Sequence, residues 1–433
     1  MTKLRGFRDL IGPDARLLGV IEARAREIAD RHNVAEVRVP VLERLNLYAR
    51  STGETSDIVE KQLYVVQRSS EGSGDDDQVL RPEGTPGVVR AYIEAGLDRS
   101  DPEQRYFYCG PMFRYERPQK GRYREFYQFG VEFFGRPDAC ADAELMVMID
   151  ELRRELDLEL NFEINSLGDG RCRPLFRQAL LEWGRTHLSE LCQDCHQRLE
   201  RNPLRLLDCK IDVKLTESAP KSIDYLCDEC QAHFDNVREL LADAGVPHSI
   251  NPRLVRGLDY YTRTAFEVVS TRVGAQSAVA AGGRYDGLVE TLGGAPVAGT
   301  GFAIGIDRLA LALDPAKFGV LPDAVLIALG NSALRATMQL SGEMRAAGLR
   351  VEPLSPERGL KALLRRASKI EARYAVIIGE DEISRGVVQL RDLRRSTQQE
   401  VPRTEVAERI AASVASNPRF RAEGSDSEPP TNR

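Results

Sequence analysis
The stretch Leu254–Val268 reads LVRGLDYYTRTAFEV. It is patterned as a strand, yet its head carries an arginine on a glycine turn, an acid and two adjacent tyrosines, none of which core packing requires. Arg256 brings a planar, permanently charged guanidinium to that turn. Tyr260 and Tyr261 each join an apolar ring to a hydroxyl. Two runs, RYFYCGPMFRYER (105–117) and REFYQFGVEFFG (124–135), flank the loop PQKGRY and read as a long antiparallel hairpin. Side chains alternate along a strand, so Tyr127, Phe129, Val131 and Phe133 make a core face while Arg124, Phe126, Gln128, Gly130 and Glu132 lie opposite. There the amide of Gln128 and the carboxylate of Glu132 flank a glycine, which leaves room for a ligand. Arg114 and Glu116 fall on the polar face of the partner run. A solvated sheet face with cross-strand ion pairs would show the same alternation; the glycine is what favours a site. The stretch LRPEGTPGVVRAY (80–92) is a charged turn entering a helix. Glu83 and Thr85 could hold an ammonium group there, or Thr85 could cap the helix ahead of Pro86.

The eight cysteines (109, 140, 172, 192, 195, 209, 227, 230) crowd into the middle of the chain, a distribution that a secreted disulfide framework would not produce. CQDC (Cys192, Cys195) and CDEC (Cys227, Cys230) are C-x2-C pairs 31 residues apart. Two such knuckles can form one four-thiolate zinc site, which would be structural because four protein ligands leave no open position. Reduced thiols without a metal are the alternative. Cys209, in LLDCK, lies outside either pair and reads as a packed thiol.

The elements that must position these residues belong to a chain of 433 residues, long enough for two or three domains. With 42% hydrophobic and 29% charged residues it fits neither a disordered nor a membrane class. The first residues, MTKLRGFRDLIGPD, hold no apolar signal-peptide core, and no run is long enough to span a bilayer, so a cytoplasmic location without membrane contact is expected. Net charge is −6, but residues 321–420 carry +4 and the rest −10, a basic module on an acidic body. Helical spacing in ARLLGVIEARAREIADRH precedes EVRVPVLERLNLY, a strand running into a helix. Ser69–Gln78 is a polar, breaker-rich loop. Residues 170–250 are mostly helical by pattern and interrupt a strand-rich body, so they read as an insertion between a first core part (1–169) and a second (251–318). From 322 to 416 strands and helices alternate as in a small α/β domain. The polar, proline-rich tail 417–433 is expected to be disordered.

Taken together, FRYERPQKGRYREFYQFGVEFFG, GFAIGIDRL and EVRVPVLE resemble motifs 2, 3 and 1 of a class II aminoacyl-tRNA synthetase. LVRGLDYYTRTAFEV and AGGRYDGL (281–288), with LRPEGTPG, resemble the histidine-specific motifs of the histidyl-tRNA synthetase family, and the resemblance covers nearly the whole chain. It implies an α+β catalytic core with a mainly antiparallel sheet flanked by helices, a helical insertion, and a C-terminal α/β anticodon-binding domain. It also implies a two-step reaction in which L-histidine and ATP give histidyl-adenylate and the histidyl group then passes to the 3′ end of tRNA(His). On this resemblance Arg256 and Arg114 are catalytic, with Arg256 facing the α-phosphate. Arg114, Glu116 and Arg308 bind ATP, with Mg2+ on its β- and γ-phosphates. Glu83, Thr85, Gln128, Glu132, Tyr260, Tyr261 and Tyr285 bind histidine, with Glu132 and a tyrosine hydroxyl on the two imidazole nitrogens. Gln119, Lys120, Arg122 and Arg124 contact the tRNA acceptor stem, and the chain acts as a homodimer. Two features depart from the family pattern: Asp307 stands where glutamate is common, and Lys120 where a small residue also fits. In the C-terminal domain KALLRRASK (361–369) supplies phosphate contacts or is simply a solvated helix face.

Two other readings compete. A synthetase-like regulatory subunit that senses histidine for its biosynthesis would charge no tRNA, but such proteins typically lack the anticodon domain and parts of the histidine motifs, all present here. A zinc-stabilised nucleic-acid-binding protein would explain the cysteines and the basic end, and would leave Arg114, Glu132, Arg256 and Arg308 without a role.

Overall fold
The alternation of residues 124–135 builds a strand, Glu125–Phe134, that pairs antiparallel with Gln104–Phe113 in the register Tyr108↔Gly130 and Tyr106↔Glu132. In the computed structural model, which describes residues 2–52, 58–66, 77–255, 260–274, 278–314, 321–354 and 357–416, this hairpin lies within an eight-stranded sheet. The spatial order is Ala35–Glu36, Gln104–Phe113, Glu125–Phe134, Gly299–Gly305, Ala278–Arg284, Thr262–Val269, Asn161–Ser166 and His248–Ile250. All pairings are antiparallel except the outermost one at each edge. The sheet and its helices fall in the unit Met1–Pro315; a second unit, Ala316–Arg433, has its own sheet.

Phe107, Phe129, Val131 and Phe133 are buried, with the Phe107 and Phe129 rings stacked at 5.4 Å. Helices Pro13–Arg31 and Ala139–Glu155 flank the sheet. The second begins at Asp138, whose carboxylate accepts from the Ala141 N–H, and buries Leu145, Met148 and Leu152 at helical spacing. It also buries a charge. Asp142 Oδ1 meets Arg284 Nη2 at 2.6 Å and its Oδ2 meets His233 Nε2 at 2.8 Å, with Arg284 and Asp142 fully enclosed. The pair joins helix Ala139–Glu155, strand Ala278–Arg284 and the insertion helix Asp228–Asp243 at one point.

Between the strands Asn161–Ser166 and His248–Ile250 the chain makes the helices Arg173–Thr186, Gln193–Arg201 and Asp228–Asp243. The first two share a small apolar cluster containing Phe176, Leu180, Leu199 and Leu206. In the second unit the strand order is Val351–Leu354, Ala324–Ala328, Tyr374–Ile378, Val387–Asp392, Thr397–Pro402, the first three parallel. Helix Leu360–Lys369 buries Leu363 and Ala367 and leaves Lys361, Arg365, Arg366 and Lys369 exposed. Most of the loop 69–78 and all of the tail 417–433 lie outside the described residues. Among those residues no helix is long and apolar enough to cross a membrane.

Candidate active site
The face of the sheet carrying Phe126 and Gln128 opens into a cleft lined by polar and aromatic side chains, the usual make-up of a small-ligand site. The space above Gly130, read as room for a ligand, is taken from within. The neighbouring strand places Tyr108 directly across from it, and a Cβ on Gly130 would stand 2.2 Å from the Tyr108 ring. Tyr108 also presses on Gly84, at 2.2 Å from a Cβ there. The glycine therefore seats a floor residue of the cleft, and the ligand space lies above that ring. Tyr108 was visible on the polar face of the hairpin by alternation, but nothing in its type set it apart.

One end of the cleft is acidic and hydroxyl-rich. Tyr260 donates to Glu83 Oε2 at 3.2 Å, and its ring packs against Tyr261 at 4.7 Å and Tyr285 at 5.8 Å. Glu132 lies behind this wall, 1% exposed: Thr85 donates to its Oε1 at 2.6 Å and Tyr285 donates to its Oε2. Gly301 is what lets that carboxylate fit, since a Cβ would fall 2.0 Å from Glu132 Oε2. Both Glu132 oxygens are thus already held, and the surface offered to a ligand here belongs to Thr85 and Tyr285. Gln128 faces the cleft, and its buried Oε1 has no hydrogen-bond partner among the described residues. An acceptor left open in this way is costly unless a ligand donor fills it.

Burial, assisted by the nearby Glu83, pushes Glu132 up to about 8 against the lowering effect of the two hydroxyl donors. The consequence for stability has a definite sign. The folded value lies above the ordinary 4.5, so the native state holds one proton more than the unfolded chain between those values. The stabilising contribution is complete below about pH 4.5 and is lost as pH rises through about 8, with a slope of at most about 1.4 kcal/mol per pH unit. Glu132→Gln, which cannot titrate, should flatten the stability profile between pH 5 and 8, as read by urea midpoints. An unchanged slope would place the titrating group elsewhere.

The other end is cationic. Arg308 enters from the start of helix Ile306–Leu311, its Nε donating to Gly121 O at 3.2 Å and its Nη1 to Ala278 O at 3.1 Å. Burial, then the positive charges of Arg122 and Arg114, hold its guanidinium below its ordinary value. Arg114 Nε is fixed on Pro82 O at 2.8 Å, and Arg122 Nη1 meets Glu116 Oε2 at 3.3 Å. Three guanidiniums kept together against their mutual repulsion form a receptor for a polyanion. Glu116 and Glu267 line the same end, and Glu267 carried no signal of its own in a strand-patterned run. Asp307, the departure in motif 3, accepts from Tyr127 N at 2.6 Å and pairs with Arg8. It pins the helix to the central strand and to the N-terminal segment. Arg256 lies outside the described residues.

The four residues expected on the acceptor stem separate. Gln119 and Lys120 are exposed at the hairpin tip. Arg122 instead turns into the cleft. Arg124 is committed to packing: its guanidinium lies 3.9 Å over the Tyr115 ring and donates to the carbonyls of Glu116 and Arg5, at 3.3 Å each. Its backbone N–H donates to Gly6 O at 2.9 Å. Arg124 therefore straps the N-terminal segment to the hairpin.

The four paired cysteines also separate, so the single four-thiolate site is not formed. Cys192 and Cys195 gather with Cys209 and Asp212, and Cys227 and Cys230 with Asp169 and Cys172. Each pair heads a different helix, and each meets its two neighbours on a nearer turn. Cys209 is packed in the insertion's apolar cluster, as expected, and its sulfur also falls in the first group.

Comparison with known proteins agrees with this geometry. The family model described as Histidyl-tRNA synthetase matches residues 6–168 and 176–309, and one described as Anticodon binding domain matches 323–413. A histidine–tRNA ligase of Geobacter sulfurreducens is 46% identical over 415 residues, covering 95% of this chain and 100% of its own. One of Trichlorobacter lovleyi is 45% identical over 404 residues, covering 93% and 96%. The crystal structure of apo S. aureus histidyl-tRNA synthetase superposes with a TM-score of 0.76 at 31% identity, covering 95% of this chain and 100% of that one. With the sheet, the cleft between acid and arginines, and these matches in agreement, the chain belongs to the histidyl-tRNA synthetase family.

Proposed function
We infer that the chain joins L-histidine to tRNA(His) in two steps. The histidine carboxylate attacks the α-phosphorus of ATP and expels pyrophosphate; a terminal ribose hydroxyl of the tRNA then attacks the adenylate carbonyl and expels AMP. The observation that carries this reading is the division of one cleft into an acidic, hydroxyl-lined end and a three-arginine end. An amino acid is cationic at its amine and anionic at its carboxylate, and ATP is a polyanion. The cleft's polarity orients the two with their reacting groups between the ends, which supplies proximity.

In this assignment Glu83 and Gln128 take the histidine ammonium, and the hydroxyls of Tyr260, Tyr285 and Thr85 face the imidazole with Glu132 behind them. An imidazole N–H of the substrate replaces one of the hydroxyls on Glu132, and a hydrogen bond donated to the carboxylate favours its ionised form. Tyr261 packs the wall. Arg114, Arg122 and Arg308 take phosphates, and Glu116 takes the adenine end. Glu267 is the carboxylate suited to Mg2+, a hard ion that binds oxygen and keeps water and that would neutralise phosphate charge when bound. Arg256 is assigned to the α-phosphate on the family resemblance. Gln119 and Lys120, exposed at the hairpin tip, are left to meet the acceptor stem, and the exposed cations of helix Leu360–Lys369 suit tRNA phosphates. Val41 and Leu42, exposed at the start of Leu42–Arg44, the outer strand of a small three-stranded sheet, support pairing with a second copy. Eight free cysteines support a reducing, cytoplasmic setting.

The regulatory reading is disfavoured by the anticodon-binding match over 323–413. The test is exchange of labelled pyrophosphate into ATP, run with each of the twenty amino acids. Exchange is expected with histidine alone, followed by esterification of tRNA(His). Histidine binding without exchange would favour the regulatory subunit.

A further inference from the structure
We propose that the helical insertion is stapled by two separate zinc ions, one held by Cys192, Cys195, Cys209 and Asp212 and the other by Asp169, Cys172, Cys227 and Cys230. In each cluster the four ligand atoms all lie within 4.8 Å of one another. The spacing repeats at every corner: two residues separate Cys192 from Cys195, Cys209 from Asp212, Asp169 from Cys172 and Cys227 from Cys230. Each site is therefore two facing knuckles, three thiols and one carboxylate.

Three of the distances between ligand atoms match those of an ion's coordination shell. Zinc with bonds of about 2.3 Å to sulfur and about 2.0 Å to oxygen, arranged tetrahedrally, sets its ligands about 3.8 Å apart for two sulfurs and about 3.5 Å apart for sulfur and oxygen. Cys192 Sγ and Cys209 Sγ are 3.8 Å apart, Cys209 Sγ and Asp212 Oδ2 3.6 Å, and Cys172 Sγ and Asp169 Oδ1 3.5 Å. A disulfide would need about 2.05 Å between sulfurs, and all eight cysteines are free.

Helix starts and backbone N–H groups orient the ligand atoms. Cys172, Cys192 and Cys227 each stand immediately before a helix, where the backbone N–H groups attract negative charge. N–H groups also point at the ligands: Cys227 N to Cys172 Sγ at 3.1 Å, Asp212 N to Cys209 Sγ at 3.4 Å, and Cys192 N to Asp212 Oδ2 at 3.1 Å. Arg171 Nη2 holds Asp169 Oδ2 at 2.8 Å, an outer partner of the kind that fixes a ligating carboxylate. Cys172, Cys195, Cys209 and Cys230 are buried, and four protein ligands close each site, so both ions are structural. A small insertion with a modest apolar cluster gains most from such staples.

The test is the zinc content of the full chain, purified under reducing conditions, incubated with excess zinc and desalted. Two ions per chain are expected; one ion or none overturns the proposal. Cys195→Ser with Cys209→Ser should lose one ion, and Cys172→Ser with Cys230→Ser the other. Loss of both ions from a variant whose circular dichroism is unchanged would show one shared site and overturn it. As a check free of substitutions, the zinc-stripped reduced wild-type chain should take up two equivalents of cobalt, each raising the thiolate charge-transfer and tetrahedral d–d bands. Saturation at one equivalent, or octahedral spectra, overturns it.

Discussion

Arg308→Ala is expected to lower histidine-dependent pyrophosphate exchange by roughly 10²- to 10³-fold, the usual cost of removing one preorganised charge donor from a reacting centre. The guanidinium is already fixed by the carbonyls of Gly121 and Ala278, so it pays no ordering entropy when ATP arrives. Its repulsion with Arg122 and Arg114 is relieved by the phosphates, which makes the free cleft less comfortable than the loaded one. Arg308→Lys should recover only part of the rate, because an ammonium keeps the charge but loses the planar fork. The measurement must separate this role from packing. Unfolding midpoints of the Lys variant should stay near those of the parent while its exchange rate remains depressed. An Ala variant with exchange within a few-fold of the parent would remove Arg308 from phosphate binding. One that loses stability and activity in step would make it a strut between Gly121 and Ala278.

How far the sequence disclosed this arrangement depends on the kind of interaction involved. The hairpin was legible because alternation of side chains and a polar loop are local signals, and so were the second unit's main strands and helices. Thr397–Pro402 was missed because its residues are polar and almost all exposed; it is a strand only because Val387–Asp392 offers it an edge. Within the cleft, alternation assigned Gln128, Arg114 and Glu116 to the ligand face. It could not show that Tyr108 fills the space above Gly130, since that is a cross-strand register fact. Nor could it show Arg124 folded back on Tyr115 and Arg5, a matter of which of several arginines in one loop meets the N-terminal segment. The cysteine pairs were visible, but the partner of each pair was not. Asp169 and Asp212 have the right spacing from a cysteine, yet an aspartate three residues away is too common to read as a ligand until the turns bring it there.

Arg284→Met should lower the stability of the catalytic unit by about 3–5 kcal/mol, the cost of leaving one member of a buried ion pair without its partner. Arg284 belongs to the AGGRYDGL stretch whose neighbour Tyr285 faces the cleft, so sequence alone would suggest a role in substrate contact. Its side chain points the other way. It spans Asp142, Asp286 and the carbonyls of Arg136 and Asp138, and both it and Asp142 are fully enclosed. Although burial alone would raise the Asp142 carboxyl, the charges and hydrogen bonds of Arg284 and His233 bring it below its ordinary value. Without Arg284 that buried carboxylate keeps only His233 as a partner among the described residues, and Tyr285 loses the anchor beside it. Arg284→Met combined with Asp142→Leu should regain a substantial part of the loss, since two apolar groups cost less than one stranded charge. The recovery stays partial because the two carbonyls remain without their donor and His233 loses its partner. Urea unfolding of the two variants and the parent decides the matter. If the double variant is no more stable than the single one, the pair is not the source of the loss. If the single variant loses less than about 1 kcal/mol while its histidine KM rises, Arg284 acts in binding after all.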